Sequence, residues 1–133
     1  ERAGPERYMS NYPMIAQIIG ECSQDPDERS SEEIGRMVAQ VATMREMSLS
    51  VAGMQQAGTD PALQGTMVKE LGVTFEQNIP GIAHDMLGRE ALLGGDEFAR
   101  SLAYVTQASV SFSLRGGTRE VVRGIIARGL GLR

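Results

Sequence analysis

The chain has 133 residues and a net charge of −4, with acidic and basic residues interspersed, a length that suits one domain able to bury a core without staples. The acidic balance lacks the basic stripe that nucleic-acid binding requires, and no apolar run approaches the roughly 20 residues that cross a bilayer, so neither nucleic acid nor membrane insertion is expected. The lone Cys22 excludes an intramolecular disulfide and suits a reducing, cytoplasmic setting.

Eight Met, no Trp and few aromatic residues favour helices over strands. The spacing predicts a first helix from about Pro5 to Cys22, with Tyr8, Tyr12, Ile15 and Ile19 on its buried face, Met9 and Ile18 widening that stripe, and a kink or short break at Pro13. Ser23 to Arg29 is polar and reads as a loop. Ser30-Ser31-Glu32-Glu33 has the form of a capping box with Ser30 at the cap. A long second helix follows, with Ile34, Met37, Val41, Met44, Val51 and Met54 as its stripe and Gly58 as its left-handed terminator.

Asp60-Pro61 starts a third helix, whose apolar face is Leu63, Met67, Leu71, Phe75, Ile79, Ile82 and Met86. Pro80-Gly81 predicts a kink or a restart after Asn78, and Gly88 closes the element. Arg89 to Gly95 is a connection, and Asp96 caps a fourth helix through Phe98, Leu102, Val105 and Ser109. Gly116-Gly117-Thr118 then feeds a terminal helix, with Thr118 as its cap and Val121, Val122, Ile125 and Ile126 as the stripe that presses it onto the rest. The fold class expected is all-α: an antiparallel four-helix bundle with an additional short C-terminal helix.

Few groups carry chemistry. His84 is the only histidine and its i−3 neighbour is Gly81, so the Glu-x-x-His pairs of a di-metal bundle are missing and no metal is expected. Cys22 has no nearby histidine and reads as a half-buried structural thiol. Glu6-Arg7 fits an acid complementing a helix dipole beside a solvated base. The glycine turn is open to two readings, a plain connection or a phosphate cradle on a helix N-terminus. Arg119 in the first turn opposes the macrodipole and needs another reason to be there, whereas Glu120 suits the dipole and would repel a phosphate set directly on it.

The run Gly116-Gly117-Thr118-Arg119-Glu120-Val121-Val122-Arg123-Gly124-Ile125-Ile126-Ala127-Arg128, closed by Leu130-Gly131-Leu132-Arg133, resembles the C-terminal signature of acyl-CoA dehydrogenases, Gly-Thr-x-Glu-Ile-x-Arg-x-Ile-Ile-Ala with a final Leu-Gly-Leu. Weaker similarity covers Glu6-Arg7, Met67-Val68-Lys69-Glu70-Leu71 and Met86-Leu87-Gly88. The resemblance implies that residues 1–133 are the C-terminal helical domain of a longer flavoprotein, which would account for a chain opening on Glu1. It implies FAD as cofactor, an acyl-CoA substrate undergoing α,β-dehydrogenation, an electron-transfer protein as partner, and a homo- or hetero-oligomer. The isolated domain is expected to be inactive.

The family's usual base stands just before Gly-Thr, where this chain has Gly116. In some branches the base comes instead from a Glu-Arg pair in the first helix, which Glu6 matches; Arg7 then matches a position beside the active site, in reach of CoA or the catalytic loop. Gly117, Thr118 and Glu120 match the segment that contacts the FAD phosphates or ribose. Two flavin motifs of the family are missing. Arg-x-x-Phe-Gly is replaced by Ser23-Gln24-Asp25-Pro26-Asp27-Glu28-Arg29, and Gln-x-x-Gly-Gly by Ala83-His84-Asp85-Met86-Leu87-Gly88. The alternatives are a non-catalytic subunit of this family, or a helical interaction module, acting in assembly.

Overall fold

The computed structural model describes residues 12–88 and 95–132. Among these residues there are five helices and no strand: α1 (Tyr12–Cys22), α2 (Glu28–Gln56), α3 (Ala62–Leu87), α4 (Glu97–Phe112) and α5 (Arg119–Gly129). The all-α class is therefore observed. Pro5, Glu6, Arg7, Tyr8 and Met9 of the expected first helix lie outside the described residues, as does most of the Arg89 to Gly95 connection.

The apolar spacing places α3 at the centre, touching α1, α2, α4 and α5. Its Phe75, Ile79 and Ala83 meet Met14, Ile15 and Ile18 of α1, Met37 and Met44 of α2, and Phe98 and Leu102 of α4 in one buried cluster. The predicted faces are broadly right, with two corrections. Tyr12 is 59% exposed and Leu71 is 44% exposed; Met14 joins the expected Ile15 and Ile18 on the buried side of α1, and on α3 burial passes to Val68 and Val73 on either side of Leu71.

Helix ends show which local signals win. The cap of α2 is Asp27 rather than Ser30, because the Asp27 carboxylate accepts both the backbone N–H of Ser30 (2.9 Å) and its hydroxyl (2.6 Å). Ser30 thus becomes a buried third helical residue, and the expected loop ends before Glu28. Asp60 accepts from the N–H of Ala62 (3.0 Å), so it satisfies the start of α3 while Pro61 occupies the cap position. Gly58 (φ 71°) and Gly88 (φ 57°) adopt the left-handed conformation at the ends of α2 and α3, as expected. Asp96 caps α4 by accepting from Ala99 N–H (2.8 Å).

Pro80 corrects the expected restart. α3 runs unbroken from Ala62 to Leu87 with Pro80 inside it and buried. Pro80 supplies no N–H to the carbonyl of Glu76, a local loss that burial of this central helix on several sides offsets. Cys22 is buried outright, and desolvation pushes its thiol above the ordinary value in spite of the Ser30 hydrogen bond, so it is held as the thiol.

Hydrogen bonds from the Ser30 hydroxyl and backbone N–H hold the Asp27 carboxyl below the ordinary aspartate value of 3.8. A folded-state value below the unfolded one contributes stability that is fully present above that pH and is lost as pH falls through the folded value. Melting temperatures of the wild type and Asp27→Asn, measured across this range, should converge as pH falls. A difference independent of pH would contradict the assignment of the cap to an ionised Asp27.

Candidate functional site

The turn after α4 is built by backbone conformation. Gly116 (φ 65°) and Gly117 (φ 109°) both lie where a Cβ is strained. At Gly117 a Cβ would meet nothing closer than the Val121 side chain at 3.6 Å, so it is the φ angle and not crowding that calls for glycine. Thr118 follows in extended conformation and caps α5 through its carbonyl, which accepts from Val122 N–H (2.9 Å); its hydroxyl makes no cap bond to the helix backbone.

Gly117, Thr118 and Glu120 therefore come together at one helix start. Glu120's own backbone N–H, then the Thr118 hydroxyl, hold its carboxyl below the ordinary glutamate range, aided by the charges of Arg123 and Arg119. In the chain by itself, Glu120 occupies donors that a phosphate or ribose oxygen would otherwise meet. A ligand oxygen at this turn would have to compete with the Glu120 carboxylate for these donors.

Arg119 has a partner that its position in the sequence conceals. Its guanidinium reaches across to α3, donating to Thr74 Oγ1 (2.8 Å), Glu70 Oε1 (3.3 Å) and Gln77 Oε1 (3.4 Å). Arg123 Nε donates to the same Glu70 oxygen (2.7 Å). The cation that opposes the macrodipole is thus explained by Glu70, and its placement gives no support to a phosphate at the turn. The Gln77 amide also donates to Ser109 O (3.0 Å), tying α4 into the same polar seam. Just before Glu70 in the chain, Lys69 is 7% exposed and donates from Nζ to Gly117 O (2.8 Å).

The expected α5 stripe is corrected accordingly. Val122 is buried, Ile125 and Ile126 are half-buried, and Val121 is 47% exposed. Apolar contact alone does not dock this helix.

A cleft of about 550 Å³ opens between α1, α3 and α4, with Gln17, Glu76, Arg100, Tyr104 and Arg115 in its wall. The Arg115 guanidinium lies 4.8 Å from the centre of the Phe112 ring, which also lines the cleft. Gly116 follows Arg115 directly, so the cleft wall and the glycine turn are continuous in the chain. Pro13 lines the cleft as well, while Glu6 and Arg7 lie outside the described residues. Among the described residues no group of His, Cys, Asp or Glu could hold a metal ion, and no helix is long and apolar enough to cross a membrane.

The residues missed from sequence are Lys69, Glu70, Thr74 and Gln77 as partners of the turn and α5. Lys69, Glu70, Thr74 and Gln77 are four among several polar residues of α3, and nothing in the spacing singles them out or connects them with Arg119.

Set beside known proteins, residues 27–131 match the model of the acyl-CoA dehydrogenase C-terminal domain. No curated protein and no solved structure gives a significant match. The matched span contains Gly117, Thr118 and Glu120 and begins after Glu6 and Arg7.

If Glu70 docks α5, Glu70→Ala should cost about 1.5–3 kcal/mol locally, the range for a charge-assisted hydrogen bond. Amide exchange in residues 122–129 should then quicken by about tenfold to a hundredfold, while the middle of α2 is unchanged. Equal acceleration in both helices would mean that Glu70 acts on global stability and not on docking.

Proposed function

The chain belongs to the acyl-CoA dehydrogenase family as its C-terminal domain, and we propose that, as part of a longer protein, it serves FAD-dependent α,β-dehydrogenation of an acyl-CoA thioester. In this reading α1 to α4 form an antiparallel bundle and α5 lies against α3. The glycine turn faces the cofactor, with Gly117, Thr118 and Glu120 at its phosphates or ribose. The adjoining cleft lies on the substrate side. FAD, when bound, accepts the β-hydrogen of the acyl group as hydride.

Glu6 is the proposed base, taking the α-proton, and Arg7 the proposed substrate contact. Such a base needs a desolvated carboxylate whose pKa is raised toward the working pH. The observation that carries this assignment is Gly116: at φ 65° the position before Gly-Thr has no side chain to accept a proton, which moves the task to the Glu-Arg pair at the other end of the chain.

The remaining roles follow from the family. An electron-transfer protein reoxidises the flavin, and copies of this chain or related subunits assemble around it in the cytoplasm. The apolar side chain of Val110, 73% exposed on α4, suits burial against another domain or subunit. The domain alone should not turn over substrate. No observation favours a purely assembling subunit or an interaction module over the catalytic reading.

In the full-length protein, Glu6→Gln should abolish dehydrogenation while leaving FAD bound, as read by acyl-CoA turnover and flavin absorbance. Full activity in that variant would place the base elsewhere.

A further inference from the structure

The cleft between α1, α3 and α4, about 550 Å³, has the size of a small-molecule site. Pro13, Met14 and Val105 supply apolar surface, whereas Arg100, Ser101, Tyr104 and Arg115 bring hydrogen-bond donors to the same wall. Glu76 is the one carboxyl in that wall among the described residues, and at 2% exposed it shows an entering molecule almost no surface. Arg100 and Arg115 are both exposed. The charge that a ligand meets in the cleft is therefore positive.

The two arginines are not equivalent. Arg100 stands in the first turn of α4 beside Asp96 and Glu97 and donates to Gly95 O (3.2 Å), so acidic neighbours offset its charge locally. Arg115 has only Ser113, Leu114, Gly116 and Gly117 around it in the chain, and Glu70 is taken up by Arg119 and Arg123. Among the described residues it forms no ion pair; its contact is the Phe112 ring, whose centre lies 4.8 Å from the guanidinium carbon. An arginine held over an aromatic face keeps its N–H fork available, and that fork matches a carboxylate with two parallel hydrogen bonds.

We infer that Arg115 is a specificity-determining residue whose guanidinium takes a carboxylate carried by the acyl group, so that the substrate is a carboxyacyl thioester and not one ending in a methyl group. This rests on the proposed place of the cleft on the substrate side. An apolar lining alone rejects a carboxylate, because a charge leaving water needs a partner. Arg115 removes that obstacle, and a methyl-ended chain laid against it would cover the guanidinium without replacing its water, which is how a polar site discriminates against an analogue that lacks the matching group.

The test uses the full-length protein and two series of CoA thioesters matched in chain length, one ending in a methyl group and one in a carboxylate. Turnover gives kcat and KM, and calorimetric titration gives binding without chemistry. The wild type should favour the carboxylate series by about tenfold to a hundredfold in kcat/KM, as expected for a charge-assisted hydrogen-bonded pair, with the difference carried mostly by KM. Arg115→Gln should remove that preference, and Arg115→Lys, which keeps the charge without the planar fork, should keep part of it. Equal turnover of both series by the wild type overturns the inference and leaves the dehydrogenase reading standing. So does an equal loss for both series in Arg115→Gln, which would put the anion on the phosphates of CoA. If no thioester is turned over but the carboxylate series binds more tightly through Arg115, the dehydrogenase reading falls and the assignment of Arg115 stands; if none binds, both fall.

Discussion

The carboxylate of Glu70 is the interaction on which the candidate site depends. Its side chain is 15% exposed and one oxygen accepts from both Arg119 and Arg123. An isolated helix as short as α5, 11 residues, is marginal in water, and Val122 is its one fully buried residue. Burying a single valine offers only about 1.5–3 kcal/mol, against roughly 1–2 kcal/mol for each backbone residue ordered. The polar ties to α3 therefore decide whether α5 has a fixed place. With α5 fixed, the glycine turn is fixed, and with the turn, the geometry at Thr118. The cost is visible at Arg119, whose Nε is buried without a partner.

Much of the helical layout was legible because it is set locally. Gly58, Gly88 and Asp96 sit where a left-handed residue or a side-chain acceptor is needed, and each requirement involves only residues a few places away. The cap of α2 failed for the same kind of reason: Asp27 and Ser30 are both good caps, and the ionised acceptor took the hydroxyl as its donor. At Pro80 the restart does not occur, because the proline's penalty is local while the compensation, burial of α3 among four neighbours, is tertiary. Arg119 was correctly seen as anomalous at a helix start. Its partner, Glu70, lies 49 positions earlier, a separation that no periodicity can bridge. The turn itself was legible, both as a helix start and as a family signature, whereas its supports from α3 were not.

The two segments where the family's flavin motifs are replaced have clear structural duties in this chain. Asp27 terminates one by capping α2, and Gly88 closes the other with its N–H donating to His84 O at 2.9 Å. Both segments serve helix ends, whereas the resemblance to the family signature is retained at the turn of Gly117 and Thr118. Gly116, directly after Arg115 of the cleft wall, offers no side chain for acid–base chemistry at the turn.

The most direct measurement is the visible absorption of the purified full-length protein, before and after incubation with FAD. A flavin band that survives gel filtration with the protein, or is regained on adding FAD, is the predicted result. A well-folded, colourless oligomer unable to take up FAD would contradict the cofactor-facing role of the turn and the oxidoreductase reading built on it.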